Sequence, residues 1–186
     1  PWVLTAEPEA ADGPTGDAEP DDQPSSAHQL DPARPVVRGR LATVGDTDVW
    51  RLTVDETMAA RQLDIRLIAP DAPMRQLCLS DASDVLVQCR SGTGGVVLGD
   101  LLLAPGDYLL RASGTADPDA GYVLRIDATS APVADYETEP NDTPATANPF
   151  DASLVMRGRA DGGDVDVYRM VVTGEPQLWQ VQATGA

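Results

Sequence analysis

Two short stretches carry the oxygen donors with which this chain could do chemistry. They are Asp17-Ala18-Glu19-Pro20-Asp21-Asp22 and Glu137-Thr138-Glu139-Pro140-Asn141-Asp142. Each is followed, roughly two dozen residues on, by an Asp-x-Asp pair: Asp46 and Asp48 after the first, Asp164 and Asp166 after the second. In an extended segment alternate side chains share a side, so Glu137, Glu139 and Asn141 face one way. If that side meets the loop before Asp164, six oxygen-bearing side chains converge: Glu137, Glu139, Asn141, Asp142, Asp164 and Asp166. The matching set is Asp17, Glu19, Asp21, Asp22, Asp46 and Asp48. So many carboxylates repel one another unless a divalent cation offsets the charge. Calcium takes six to eight oxygen ligands at roughly 2.3–2.6 Å, so calcium is the expected cofactor. Asp161 is a further candidate in the second set. The alternative is a solvated acidic linker followed by a β-turn.

Other constellations are weak. His28 is the single histidine; it adjoins Gln29 in a polar stretch and is expected at the surface. A Ser-His-Asp or Cys-His site needs a base held by supporting structure. One histidine also excludes His-rich zinc or iron sites. Ser91-Gly92-Thr93-Gly94-Gly95 lacks the lysine of a phosphate-binding loop and precedes a strand, so it reads as a hairpin loop. Asp117 and Asp119 flank Pro118 in a turn and do not suggest a glycosidase pair. Trp50 and Tyr168 occupy matched positions with core periodicity and are expected to pack. No residue is expected to be catalytic.

The 186 residues include 30 acids and 13 bases, all arginine, for a net charge of −17. That balance opposes nucleic acid and anionic lipid as partners. No apolar run reaches the roughly 18 residues that would span a bilayer. Pro1 is no natural translation start, so the sequence is expected to belong to a longer chain. Cys78 and Cys89 fall on either side of the turn-forming run Asp81-Ala82-Ser83-Asp84. A hairpin centred between Ala82 and Asp84 opposes them directly, which a disulfide requires; two buried thiols are the alternative. An even cysteine count fits an oxidising compartment.

The chain repeats itself. Besides the Glu-Pro blocks, Arg38-Gly39-Arg40 matches Arg157-Gly158-Arg159, and Gly45-Asp46-Thr47-Asp48-Val49-Trp50-Arg51 matches Gly163-Asp164-Val165-Asp166-Val167-Tyr168-Arg169. The offset falls from 120 to 119 to 118 residues, as when loops shorten while strands keep register. Trp2-Val3-Leu4 likewise precedes Tyr122-Val123-Leu124 by 120 residues. The expected organisation is the last strand of a preceding repeat at 1–6, an acidic linker at 7–16, a complete domain at 17–130, and a linker with a truncated repeat at 131–186.

The complete unit reads as all-β. Leu63-Asp64-Ile65-Arg66-Leu67 alternates apolar and charged residues, as do Trp50–Val54 and Tyr122–Asp127. Val96–Leu102 is a nearly continuous apolar run suited to a central strand. Ala104-Pro105-Gly106-Asp107 is a type II turn pattern leading to Tyr108–Ala112. With Val36–Arg40 and the cysteine hairpin this makes about eight strands, most economically buried as a two-sheet antiparallel β-sandwich. Residues 7–22 and 128–144 read as linkers. The truncated repeat adds about three strands, including Leu178–Ala183, and three strands leave an apolar edge that a neighbouring repeat or another chain would complete.

The Glu-Thr-Glu-Pro-Asn-Asp block with Gly163-Asp164-Val165-Asp166-Val167-Tyr168 resembles the bacterial pre-peptidase C-terminal domain, a family related to the collagen-binding domains of clostridial collagenases. Leu103–Tyr108 and Gly121–Leu124 are similar to its late strands. The resemblance implies a jelly-roll-like β-sandwich, secretion, no catalysis, and often calcium near the N-terminal linker. The first copy departs from the pattern at Asp17, Asp21 and Trp50. The expected function is a non-catalytic extracellular spacer, accessory or adhesion segment whose hinges calcium stiffens. The alternatives are an accessory, matrix-binding tail of a secreted peptidase and a carbohydrate-binding module; the latter is poorly served by eight aromatic residues.

Overall fold

The computed structural model describes residues 18–31, 33, 35–70, 72, 74–130, 135–150, 154–159 and 164–184. The expected strand at 2–5, Asp17 and Asp161 lie outside them. The chain runs β1 (His28–Gln29), β2 (Val36–Gly39), β3 (Thr47–Val54), α1 (Glu56–Ala59), β4 (Gln62–Ile68), β5 (Arg75–Asp81), β6 (Leu86–Gly92), β7 (Gly95–Leu101), β8 (Gly106–Gly114), β9 (Tyr122–Ser130), β10 (Asn148–Pro149) and β11 (Tyr168–Arg169). Among the described residues three sheets form, a five-stranded one ordered β1-β3-β8-β5-β6, a four-stranded one ordered β2-β9-β4-β7 and a two-stranded one, β10-β11. Pairing is antiparallel except for β1 on β3 and β10 on β11.

Alternation drives the packing. Trp50, Leu52 and Val54 of β3 and Leu63, Ile65 and Leu67 of β4 are all at most 2% exposed. Leu77, Leu79, Leu98, Leu110, Tyr122 and Leu124 join them in one core between the sheets. Polar residues alternate outward because each strand has one wet face. The result is the expected all-β antiparallel sandwich.

Several details differ from expectation. Val96–Leu102 supplies β7, which lies at a sheet edge; Val97 is 39% exposed, so the run is buried on one face only. Ser91–Gly95 joins β6 to β7 across the two sheets and is no hairpin within one. Gly106 starts β8 without the positive φ that a type II turn needs. The strand β9 continues to Ser130, paired with Gln62, so linker begins later than composition suggested. The turn α1 is capped by Asp55, which accepts from Thr57 and Met58 N–H. Residues 178–183 form no strand; Leu178 and Val181 are 102% and 79% exposed, because nothing among the described residues pairs with them.

The cysteine hairpin forms as expected. Cys78 is paired with Cys89 and the two are disulfide-bonded. Asp81 Oδ1 accepts from Ser83 and Val85 N–H at 2.8 and 2.9 Å, and Asp84 takes a positive φ of 67° to close the turn. The bond closes a loop between residues 11 apart, for which chain entropy sets a stabilisation of about 3 kcal/mol. The Cys78→Ser, Cys89→Ser double variant is therefore expected to lose about that much in urea unfolding. A loss below ~1 kcal/mol would show that the tie adds little to the β5–β6 edge.

Candidate metal centres

Each Glu-Pro segment is laid against the chain at and just after its Asp-x-Asp pair by the same backbone bonds. Val49 N–H donates to Asp21 O at 3.1 Å, and Val167 N–H to Asn141 O at 3.1 Å. Leu30 N–H reaches Arg51 O at 2.8 Å, and Phe150 N–H reaches Arg169 O at 2.9 Å. The register agrees too: His28 opposes Trp50 and Asn148 opposes Tyr168.

This docking gathers three carboxylates in each copy. Glu19, Asp21 and Asp48 form one group; Glu137, Glu139 and Asp166 form the other, each group offering oxygens within 4.8 Å of one another. Oxygens bound to one calcium at about 2.3–2.6 Å cannot lie more than about 5 Å apart, so both groups fit that ion. The donors are hard oxygens, with no sulfur among them. Asp166 Oδ1 is buried and accepts no hydrogen bond among the described residues. Asp21 and Asp48 are fully buried.

Asp22, Asp46 and Asn141 have other partners. Asp22 Oδ1 accepts Thr47 N–H at 3.2 Å, and Asp46 Oδ2 accepts Ala42 N–H at 2.5 Å, so these two close the turn into β3. Asn141 bridges its trio: its N–H donates to Glu139 Oε2 at 2.9 Å and its Nδ2 to Glu137 Oε2 at 3.4 Å. Asp164 and Asp142 act through charge. Burial, then Asp164, then Glu137 and Asp166 push the Glu139 carboxyl up to about 8, against a lowering by the Asn141 N–H. Burial, then Glu137, Asp164 and Asp142 push Asp166 up to about 6.

Two tyrosines belong to the centres that spacing did not single out. Tyr168 OH donates to Glu137, so Tyr168 is more than the packing residue its periodicity suggested; burial and then the Glu137 carboxylate raise its pKa. In the first copy Trp50 Nε1–H donates to Tyr122 OH at 2.9 Å, and Tyr122 OH donates to Asp48 Oδ2 at 2.5 Å. The signal was available for Tyr168: it sits two residues after Asp166, and alternate residues leading into a strand share a face. The shared glycine of the Arg-Gly-Arg blocks also has a cause. A Cβ on Gly39 would strike the Tyr122 ring, and one on Gly158 would strike the Glu137 carboxylate.

The second centre is fastened to the sandwich. Glu139 N–H donates to Leu102 O, and Ala104 N–H to Glu139 O, both at 2.8 Å. Tyr108 OH, its pKa pushed up to about 12 mainly by burial, donates to Ala104 O and, at 3.3 Å, to Glu139 O. Arg159, which follows Gly158, donates from Nη1 to Gly99 O at 3.2 Å and pairs with Asp100 at 3.3 Å. Glu139 thus bonds the sandwich through its main chain while its carboxylate joins the trio.

The chain is thus an antiparallel β-sandwich with carboxylate trios at its Glu-Pro segments. It is similar to the 1.0 Å crystal structure of the pre-peptidase C-terminal domain of collagenase from Bacillus anthracis, with a TM-score of 0.40 and 17% identity over 60% of this chain and all of that one. No protein-family model and no curated protein matches the sequence. Among the described residues no helix is long and apolar enough to cross a membrane.

Proposed function

We propose that this chain is a non-catalytic segment of a larger extracellular bacterial protein, a string of β-sandwich repeats in which calcium stiffens the hinges. The observation that carries the reading is the carboxylate trio at each Glu-Pro segment, the second hung from the main chain of the preceding sandwich. Glu137, Glu139 and Asp166 would hold the ion there, with Asn141 fixing the two glutamates; Glu19, Asp21 and Asp48 would hold it in the first copy. Bound calcium supplies charge compensation, so the linker stays on the sandwich edge and the backbone freedom of the hinge, about 1–2 kcal/mol per residue, is removed. The disulfide suits an oxidising exterior. Neighbouring repeats, in the same chain or another, are the partners that complete the truncated repeat.

The test is calcium titration of the 186-residue chain by calorimetry, with limited proteolysis beside it. Saturable binding is expected, with slower cleavage around residues 131–147 and a higher melting temperature. Equal cleavage with calcium and with chelator would count against the stiffening.

A further inference from the structure

His28 and Asn148 hold the same place in the two copies and touch the same backbone. Asn148, 8% exposed, clasps Thr138 at both ends: its Oδ1 accepts Thr138 N–H at 3.0 Å, and its Nδ2 donates to Thr138 O at 3.0 Å. His28 faces Ala18 likewise, but with one atom. Its Nε2 lies 3.0 Å from Ala18 N and 3.1 Å from Ala18 O. Thr138 stands between Glu137 and Glu139, and Ala18 immediately before Glu19. Each contact therefore sets the register of the carboxylate-bearing segment over the strand beneath it.

An amide has a separate donor and acceptor and satisfies an N–H and a C=O together. A single ring nitrogen either accepts or donates, never both. The His28 side chain is also 31% exposed, so water competes for the bond. We propose that residues 28 and 148 are positioning clasps for the two metal centres, and that the one-atom clasp makes the first hinge the looser of the pair. An array built this way has joints of unequal stiffness, graded by one side chain. What the clasp positions rests on the calcium reading; the clasp itself does not.

Amide hydrogen exchange on the whole chain in chelator tests the clasp without metal. Losing two hydrogen bonds in Asn148→Ala is expected to speed exchange of the Thr138 amide roughly tenfold. Asn148→His should fall between that variant and the parent. His28→Asn should slow exchange of the Ala18 amide several-fold, with Thr138 unmoved. Unchanged Thr138 exchange in Asn148→Ala, or equal slowing at Ala18 in His28→Asn and His28→Ala, would overturn the proposal.

Calcium titration by calorimetry supplies the readout that a purely structural role would not move. Asn148→Ala should weaken the second centre about tenfold, the lower end of what lost support behind a metal ligand costs. Faster exchange with unaltered calcium affinity would sink the positioning role. A parent chain that takes up no calcium removes the metal reading alone, and the exchange arms still decide the clasp.

Discussion

In Asp166→Asn, calcium and its absence are expected to change stability in opposite directions. Asparagine keeps the shape of the side chain and removes its charge. Without calcium the variant should be more stable than the parent, because Asp166 leaves its burial cost and its repulsion with Glu137 and Asp164 behind. With calcium it should be less stable, because a ligand is gone. A hundredfold loss of affinity at saturating calcium removes about 2.7 kcal/mol of linked stabilisation. Scanning calorimetry in calcium and in chelator reads both signs. An equal calcium-induced shift in variant and parent would remove Asp166 from the centre.

The pH dependence follows from the same charges. Glu139 and Asp166 titrate higher in the folded chain than when unfolded, near 8 and 6. Their contribution without metal is therefore fully present below about pH 4, the ordinary carboxylate range. It is lost as pH rises through 6 for Asp166 and through 8 for Glu139. Calcium needs the ionised forms, so binding should release protons between those limits and tighten with pH up to about 8. Calorimetry in two buffers of different ionisation enthalpy counts the protons; buffer-independent heats at pH 7 would contradict it.

Trp50→Ala is the variant expected to damage the sandwich most. The indole is 1% exposed at the centre of β3, so its removal costs about 3–5 kcal/mol. In a domain of this size that lowers melting by about 12 °C or more. Trp50→Phe keeps most of the buried surface but deletes the N–H that Tyr122 OH accepts, for about 1–2 kcal/mol. The difference separates packing from the polar chain that ends at Asp48. A Trp50→Ala loss under ~1 kcal/mol would mean that the aromatic does not organise the core.

The strands were legible because burying one face of a sheet imposes a period of two on side chains. Trp50–Val54, Leu63–Leu67 and the Cys78–Cys89 pairing obey it, and their register follows from local pattern alone. Edge and centre were not legible at Val96–Leu102, since an apolar run says nothing of which neighbours flank it. A lone histidine in a polar stretch points to the surface, yet His28 is half-buried against Trp50, with ring centroids 5.6 Å apart. Its place on β1 depends on a parallel bridge to a strand over twenty residues away, which no local pattern encodes. The part of Tyr122 in the first centre was not legible for a related reason. Tyr122 arrives from the opposite sheet, 74 residues after the Asp48 it meets.

Acidic pairs at a fixed spacing, twice over, follow from the order of residues, and so does the alternating pattern that compels a sandwich. Chain order cannot say which of six oxygen-bearing side chains converge. That was decided by folding: Asp22 and Asp46 accept amides at the start of β3, away from the trio, while Glu137 and Glu139, which accept the Arg159 and Asn141 amides, were brought to one point with Asp166. A carboxylate takes the closest donors the backbone presents, and those positions exist only once strands from distant parts of the chain have paired.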